Sequence, residues 1–299
     1  MTTLNLGYLL TLPKFDYLEA KTIDGACSLL AKYKGKARVI AGGTDLLVSM
    51  KSREITPQYI INIKAIPDLD KVHYSQEDGL TIGALTTLHD IESSPIIRER
   101  FPILAATVHQ TGPPHIRNMG TIGGNLCNAA PSADTAPPLI GLGARVKIKG
   151  VNRERVVAVE EFFVGPGESV LQSDEILTEI QIPNPLPRTR GVYLKLPART
   201  TVDIAVVGVA VVVTLDTKGI NVVDIKIVLG AVAPTPIRAR IAEGIIKGKA
   251  IEDELIERAA QAAEEEARPI SDIRGLARYR RQMVKVLVNQ AIRQVITPA

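Results

Sequence analysis

The segment from Thr111 to Ile148, TGPPHIRNMGTIGGNLCNAAPSADTAPPLIGLGARVKI, constrains the fold of this chain more than any other. Its Gly, Pro, Asn and small residues recur too often for one long helix or strand. Its apolar flanks argue against a disordered linker. Connections longer than ~12–15 residues inside a compact domain are mostly binding segments. Backbone spent on turns at this scale needs a scaffold of strands and helices on either side, and the sequence supplies one.

Upstream, AKTIDGACSLLAKYKGK places Ile23, Ala26, Leu29, Leu30 and Tyr33 at helical spacing, with Thr22 or Asp24 available as a cap. A strand over Arg38 to Ala41 then runs into Gly42–Gly43 and a short apolar helix. QYIINI (58–63) reads as a strand, and GLTIGALTTLHDI (79–91) as a strand leading through a turn into a helix. Downstream, RVKIKG and ILTEIQI read as strands, after which Pro183, Pro185 and Pro187 interrupt all regular structure. The domain boundary is placed there. YLKL, the β-branched run DIAVVGVAVVVTLD and VVDIKIVLG predict a three-stranded antiparallel sheet, followed by helices over 251–267 and 276–295. The prediction is an α+β chain with domains at 1–186, itself split near residue 60 into subdomains 1–60 and 61–186, and at 187–299.

Composition narrows the function. With 36 Lys and Arg against 32 Asp and Glu, and only 4% aromatic residues without Trp, the chain lacks the basic stripe and stacking platform of a nucleic-acid reader. The cluster Arg274, Arg278, Arg280, Arg281 reads most simply as a solvated helix face, with a subunit contact as the alternative. Two cysteines, Cys27 and Cys127, cannot supply a four-thiolate zinc site or iron–sulfur cluster, and they fit a reducing cytoplasm. The N-terminal MTTLNLGYLLTLPKF has no basic residue before Lys14, unlike a secretory signal, and the apolar run Ile204 to Val213 is shorter than the ~18 residues of a membrane span.

No nucleophile elbow, zinc-binding His-Glu-x-x-His, Cys-x-x-Cys or phosphate-loop lysine is present, and His73, His89, His109 and His115 show no metal-ligand spacing. Gly141 and Gly143 begin a dinucleotide fingerprint that Val146 leaves incomplete. What remains are the glycine pairs in Ala41-Gly42-Gly43-Thr44-Asp45 and Thr121-Ile122-Gly123-Gly124-Asn125. Bare backbone lets an anion approach and lets successive N–H groups converge on it, so two such loops could clamp a pyrophosphate. Thr44, Thr121 and Asn125 could add donors. The plainer alternative is that each pair is a turn.

IAGGTDLL (40–47) and HIRNMGTIGGNLCNAAPSADTAPPLIGLGA (115–144) resemble the two flavin-binding signatures of the FAD-carrying medium subunit of molybdenum hydroxylases, the xanthine dehydrogenase and carbon monoxide dehydrogenase family. The resemblance covers nearly the whole chain. It implies a vanillyl-alcohol-oxidase-like (PCMH-type) FAD domain of two subdomains followed by a smaller sheet-and-helix domain. By motif it puts Val39, Ile40, Ala41, Gly42, Gly43, Thr44, Asp45 and Leu46 on the first FAD loop and Thr121, Ile122, Gly123, Gly124 and Asn125 on the second. Asp134 matches an FAD-contacting aspartate, and a helix cap is its alternative. Thr111 falls at a cofactor-lining position where some relatives carry an aromatic residue. Ile204 matches a position against the flavin ring, with Lys195 in the same neighbourhood. Cys127 reads as a small buried hydrophobe.

The resemblance further implies an electron-transfer subunit. A large molybdopterin subunit would oxidise the substrate, and a small subunit with two [2Fe–2S] clusters would pass electrons to FAD here. The flavin would hand them to an external acceptor, in an assembly that is a dimer of heterotrimers. Two other readings compete: a self-contained FAD oxidoreductase using Lys195, Arg199 and Asp203, and a scaffold that has lost flavin.

Overall fold

The computed structural model describes residues 11–200 and 202–297; the N-terminal stretch read for a signal lies largely outside them. The chain begins with β1 (Asp16–Glu19), α1 (Ile23–Tyr33), β2 (Ala37–Ile40), α2 (Leu46–Lys51) and β3 (Tyr59–Asn62). The three strands form a parallel sheet in the order β1-β3-β2. Thr22 caps α1, its hydroxyl accepting from Gly25 N at 3.0 Å, and the helix buries Ala26, Cys27 and Leu30 in a core shared with Ile61 and Ile63. β3 runs through residue 60, and Ile63, Ile66 and Leu69 beyond it pack into the same small core.

The next region holds β4 (Val72–Ser75), β5 (Gly79–Gly83), then six short helices, α3 (Leu88–Ser93), α4 (Pro95–Arg100), α5 (Pro102–His109), α6 (Pro114–Arg117), α7 (Ile122–Asn128) and α8 (Ala136–Gly141). The strands β6 (Arg145–Gly150), β7 (Arg153–Ala158), β8 (Phe163–Gly165), β9 (Glu168–Ser169) and β10 (Ile176–Ile182) follow. β4-β5-β10-β6-β7 form an antiparallel sheet, with β10 central and buried along nearly its whole length. The turn-rich segment 111–148 thus becomes α6, α7, α8 and β6, inserted between β5 and its sheet partners. α8 opens with Ala136-Pro137-Pro138, prolines at positions whose N–H groups a helix start leaves unpaired anyway.

The C-terminal region contains β11 (Thr189–Pro197), β12 (Ala205–Leu215), β13 (Val222–Gly230), β14 (Ile237–Arg238), α9 (Arg240–Ile246), α10 (Asp253–Glu266) and α11 (Ala277–Ile296). β12 explains its own apolar run: Ala210 and Val212 join the core of the N-terminal domain, whereas Val209, Val211 and Val213 face α10 and α11. A strand covered on both faces needs no polar alternation, and each buried valine stabilises by about 1.5–3 kcal/mol. α8 interlocks with this sheet through two glycines. A Cβ on Gly141 would lie 2.9 Å from Val212, and one on Gly230 2.9 Å from Pro137.

Two expectations are corrected. The C-terminal sheet has four strands rather than three, because β14 pairs Ile237 with Leu229 and Arg238 with Val228. A two-residue strand carries too little period to be read. Arg280 is not on a solvated face: it is 3% exposed, donates to Ala231 O at 3.3 Å and pairs with Asp272, tying α11 to the end of β13. The other three arginines of that cluster are exposed.

Candidate functional site

The first glycine loop joins β2 to α2. Val39 and Ile40 are strand residues opposite Ile61 and Asn62, and Ala41 O accepts from Lys64 Nζ at 3.2 Å. Gly43 has φ 76°, a left-handed conformation that favours glycine. Asp45 occupies the capping position of α2 but makes no side-chain cap. The first repeating helix bonds run from Leu47 N to Gly43 O and from Ser49 N to Asp45 O. Among the described residues, the five amides from Gly42 to Leu46 therefore donate to nothing in the protein. Unpaired amides at an uncapped helix start form a cradle for negative charge.

The second loop is built differently. Ile122 N donates to Thr86 O at 3.1 Å, Gly123 N to Ala84 O at 3.0 Å and Asn125 N to Thr121 O at 2.9 Å. Gly124 N donates to the Thr121 hydroxyl at 3.0 Å, the N-cap of α7. Each amide from Ile122 to Asn125 thus has a protein acceptor, and the expectation that this loop offers successive free N–H groups is corrected. Glycine is still required: a Cβ on Gly123 would stand 2.6 Å from Ala84 O. The bare backbone at 123 packs α7 onto the chain leaving β5. What this loop presents is side chain: the Thr121 hydroxyl can donate outward, and Asn125 Oδ1, accepting from Thr135 Oγ1 at 2.6 Å, leaves the amide nitrogen as a donor.

The two loops meet. A Cβ on Gly42 would lie 1.9 Å from Met119 O and 3.1 Å from Gly120 Cα, and a Cβ on Gly120 would lie 3.6 Å from Thr44 Oγ1. Such an approach is open only to backbone without side chains. α6, which leads into this contact, is held by Arg117, 8% exposed, which pairs with Glu92 at 2.8 Å and donates to Gly112 O at 2.7 Å.

A second cluster joins the two domains. Lys195 Nζ, on β11, donates to Asp134 Oδ2 at 2.7 Å and to Gln110 O at 3.0 Å, and Tyr193 Oη donates to Asp134 Oδ1 at 2.7 Å. Burial pushes the Asp134 carboxyl up, opposed by the Lys195 ammonium and by bonds from Lys195, Tyr193 and Thr111. Tyr193 is raised well above the usual phenol range by burial and by the neighbouring carboxylate. Room for its hydroxyl comes from Gly208, where a Cβ would stand 2.6 Å away. Asp134 does not cap α8, whose capping residue is Thr135.

The structure therefore brings the two loops together, and Thr111, Asp134 and Lys195 together. Ile204 stands in neither group; it is 52% exposed at the entry to β12, beyond the Arg199–Asp203 pair. Cys127 is half-buried against the core. Sequence reasoning missed Tyr193 and Lys64. Residues 193 and 195 alternate onto one face of a strand, a signal that could have found the tyrosine. Lys64 reaches Ala41 only through the fold.

The chain matches the family model of the FAD binding domain in molybdopterin dehydrogenase over residues 13–185 and that of the CO dehydrogenase flavoprotein C-terminal domain over 192–295. It is 35% identical to the glyceraldehyde dehydrogenase medium chain of Sulfolobus acidocaldarius over 283 residues, 95% of this chain and 99% of that one. It is 36% identical to the carbon monoxide dehydrogenase medium chain of Hydrogenophaga pseudoflava over 282 residues, 94% and 96% of the two chains. The solved carbon monoxide dehydrogenase from Hydrogenophaga pseudoflava superimposes with a TM-score of 0.92 at 35% identity, covering 95% of this chain and 98% of that one. The quinoline 2-oxidoreductase of Pseudomonas putida 86 does so with 0.89 at 27%, covering 96% and 98%. The chain belongs to the FAD-binding medium subunits of the molybdenum hydroxylase family. Its N-terminal domain is an FAD-binding domain, and the unpaired amides of Gly42 to Leu46 fit a diphosphate cofactor.

Proposed function

We propose that this chain is the electron-transfer subunit of a three-component molybdenum hydroxylase, receiving electrons from the [2Fe–2S] clusters of a small subunit and delivering them to an external acceptor. A large molybdopterin subunit would act on the substrate, in a dimer of heterotrimers in the cytoplasm. The observation that carries this reading is the run of unpaired amides from Gly42 to Leu46, closed against Met119 by a glycine that admits no side chain. FAD supplies the redox chemistry when bound; the chain supplies binding, orientation and exclusion of water.

In this reading the domains are 1–186, a PCMH-type FAD domain, and 187–299. The pyrophosphate lies on the amides of Gly42 to Leu46, with the Lys64 ammonium adding positive charge near Ala41. Thr44, Thr121 and Asn125 donate from their side chains. Thr111, Asp134 and Lys195 hold a fixed polar wall where the domains join, and Ile204 covers the flavin ring with an apolar side chain. The self-contained oxidoreductase is disfavoured because its acid–base groups are engaged with each other: Lys195 with Asp134 at 2.7 Å and Arg199 with Asp203 at 3.1 Å.

The test is purification of the native complex, with FAD, iron and molybdenum counted per chain, followed by anaerobic reduction. Flavin that is reduced only when the iron–sulfur subunit is present supports the reading. A flavin reduced directly by substrate in the isolated chain would overturn it.

A further inference from the structure

The turn between α10 and α11 presents large apolar side chains to solvent. Ile270 is 69% exposed, Ile273 101%, Leu276 68% and Tyr279 46%. The turn is nevertheless firmly fixed. Asp272 and Gly275 exchange both backbone hydrogen bonds, at 3.2 and 3.1 Å, and Ala277 N donates to Ser271 Oγ at 2.9 Å. The buried Arg280 reaches from α11 to Asp272 and to Ala231 O. A buried guanidinium spent on holding a turn, with isoleucine at its tip, is costly unless the tip is used.

Position and charge identify the use. A Cβ on Gly275 would lie 3.8 Å from Val206, two residues from the exposed Ile204, so the apolar surface runs from the turn to the edge where the flavin ring is placed. Around it stand Arg274, Arg278 and Arg281, all exposed, and among the described residues Arg278 pairs with no carboxylate. An apolar centre with a charged rim, containing Tyr and Arg, is the anatomy of a protein interface.

We propose that the 270–279 turn docks the iron–sulfur subunit, which meets it with an apolar patch rimmed by carboxylates. The inference rests on the electron-transfer reading above. Electron transfer slows steeply with distance, so the subunit that delivers electrons must seat beside the flavin edge, and this surface adjoins it. The basic rim selects an acidic partner and speeds its approach.

The test uses the whole complex, co-expressed. The double variant Ile273→Asp, Leu276→Asp changes only exposed side chains, so its FAD content and melting temperature should match the parent while its affinity for the iron–sulfur subunit falls at least about 30-fold. Arg278→Glu should weaken the same association about tenfold at low ionic strength and less in high salt. Unchanged affinity in both variants would overturn the proposal. So would loss of the molybdopterin subunit with the iron–sulfur subunit retained, which would give the surface to a different occupant. A parent chain that holds FAD but binds no iron–sulfur subunit would instead overturn the electron-transfer reading itself.

Discussion

At Gly42 and Gly43 the backbone amides stay free and the missing side chain admits Met119; at Gly123 and Gly124 every neighbouring amide is satisfied by protein and the missing side chain admits Ala84. Both pairs are Gly-Gly followed by a polar residue and then a helix, yet one opens backbone toward a ligand and the other closes a helix onto its own sheet. The difference lies in the helix start. α2 has no side-chain cap, whereas Thr121 caps α7 and carbonyls of the β5 exit fill the rest. A glycine pair is thus a licence for close approach, and what approaches is decided elsewhere in the chain.

The largest expected effect comes from the protein-bound side of the comparison. Lys195→Met leaves Asp134 buried without its ion partner and should destabilise the chain by about 3–5 kcal/mol. Asp134 already holds its proton more tightly in the folded chain than in the unfolded one, and losing the ammonium strengthens that preference. A raised folded pKa favours the folded state at low pH, so the deficit should shrink as the pH falls toward the carboxylate range. Urea melts of parent and variant at several pH values would show it, and a pH-independent deficit would count against a buried ion pair.

Gly42→Val comes next. Its Cβ would meet Met119 O at 1.9 Å, a backbone atom that cannot rotate away, so the loops should separate at a cost of ~3 kcal/mol and FAD should be lost on gel filtration. Gly35→Ala, with nothing within 4 Å of its Cβ, is the control and should retain flavin. Gly123→Ala should behave in the opposite order. It should lower the stability of the flavin-free chain by about 1–3 kcal/mol, while folded molecules still take up FAD more readily than the Gly42 variant. Unaltered stability with flavin lost would restore a phosphate-facing role to Gly123.

Much of the scaffold was legible because its signals are local. Thr22 announces α1, and the apolar run beginning at Ala205 announces β12. The helices α4 and α5 were not read: each starts at a proline inside a short segment, and α5 is too evenly apolar to show a face. Arg280 looked like its exposed neighbours because nothing in the sequence shows that Asp272 and Ala231 lie beside it. The site followed the same rule. Both loops could be found from their glycines, but the free amides of one and the filled amides of the other depend on Thr86 and Ala84, contributed by a different part of the sequence.

The smallest effect tests the cap that separates the two loops. Thr121→Val keeps the shape of the side chain but removes the oxygen that accepts from Gly124 N at 3.0 Å, costing about 1 kcal/mol of helix stability. If the second loop acts through side chains, the same change also deletes a donor to FAD, and flavin affinity should fall beyond what the stability loss explains. Thr121→Ser keeps both functions and should restore both. Should flavin affinity simply track stability across the valine, alanine and serine variants, Thr121 would be a cap alone, and the contribution of the second loop would rest on Asn125, whose Oδ1 is already committed to Thr135.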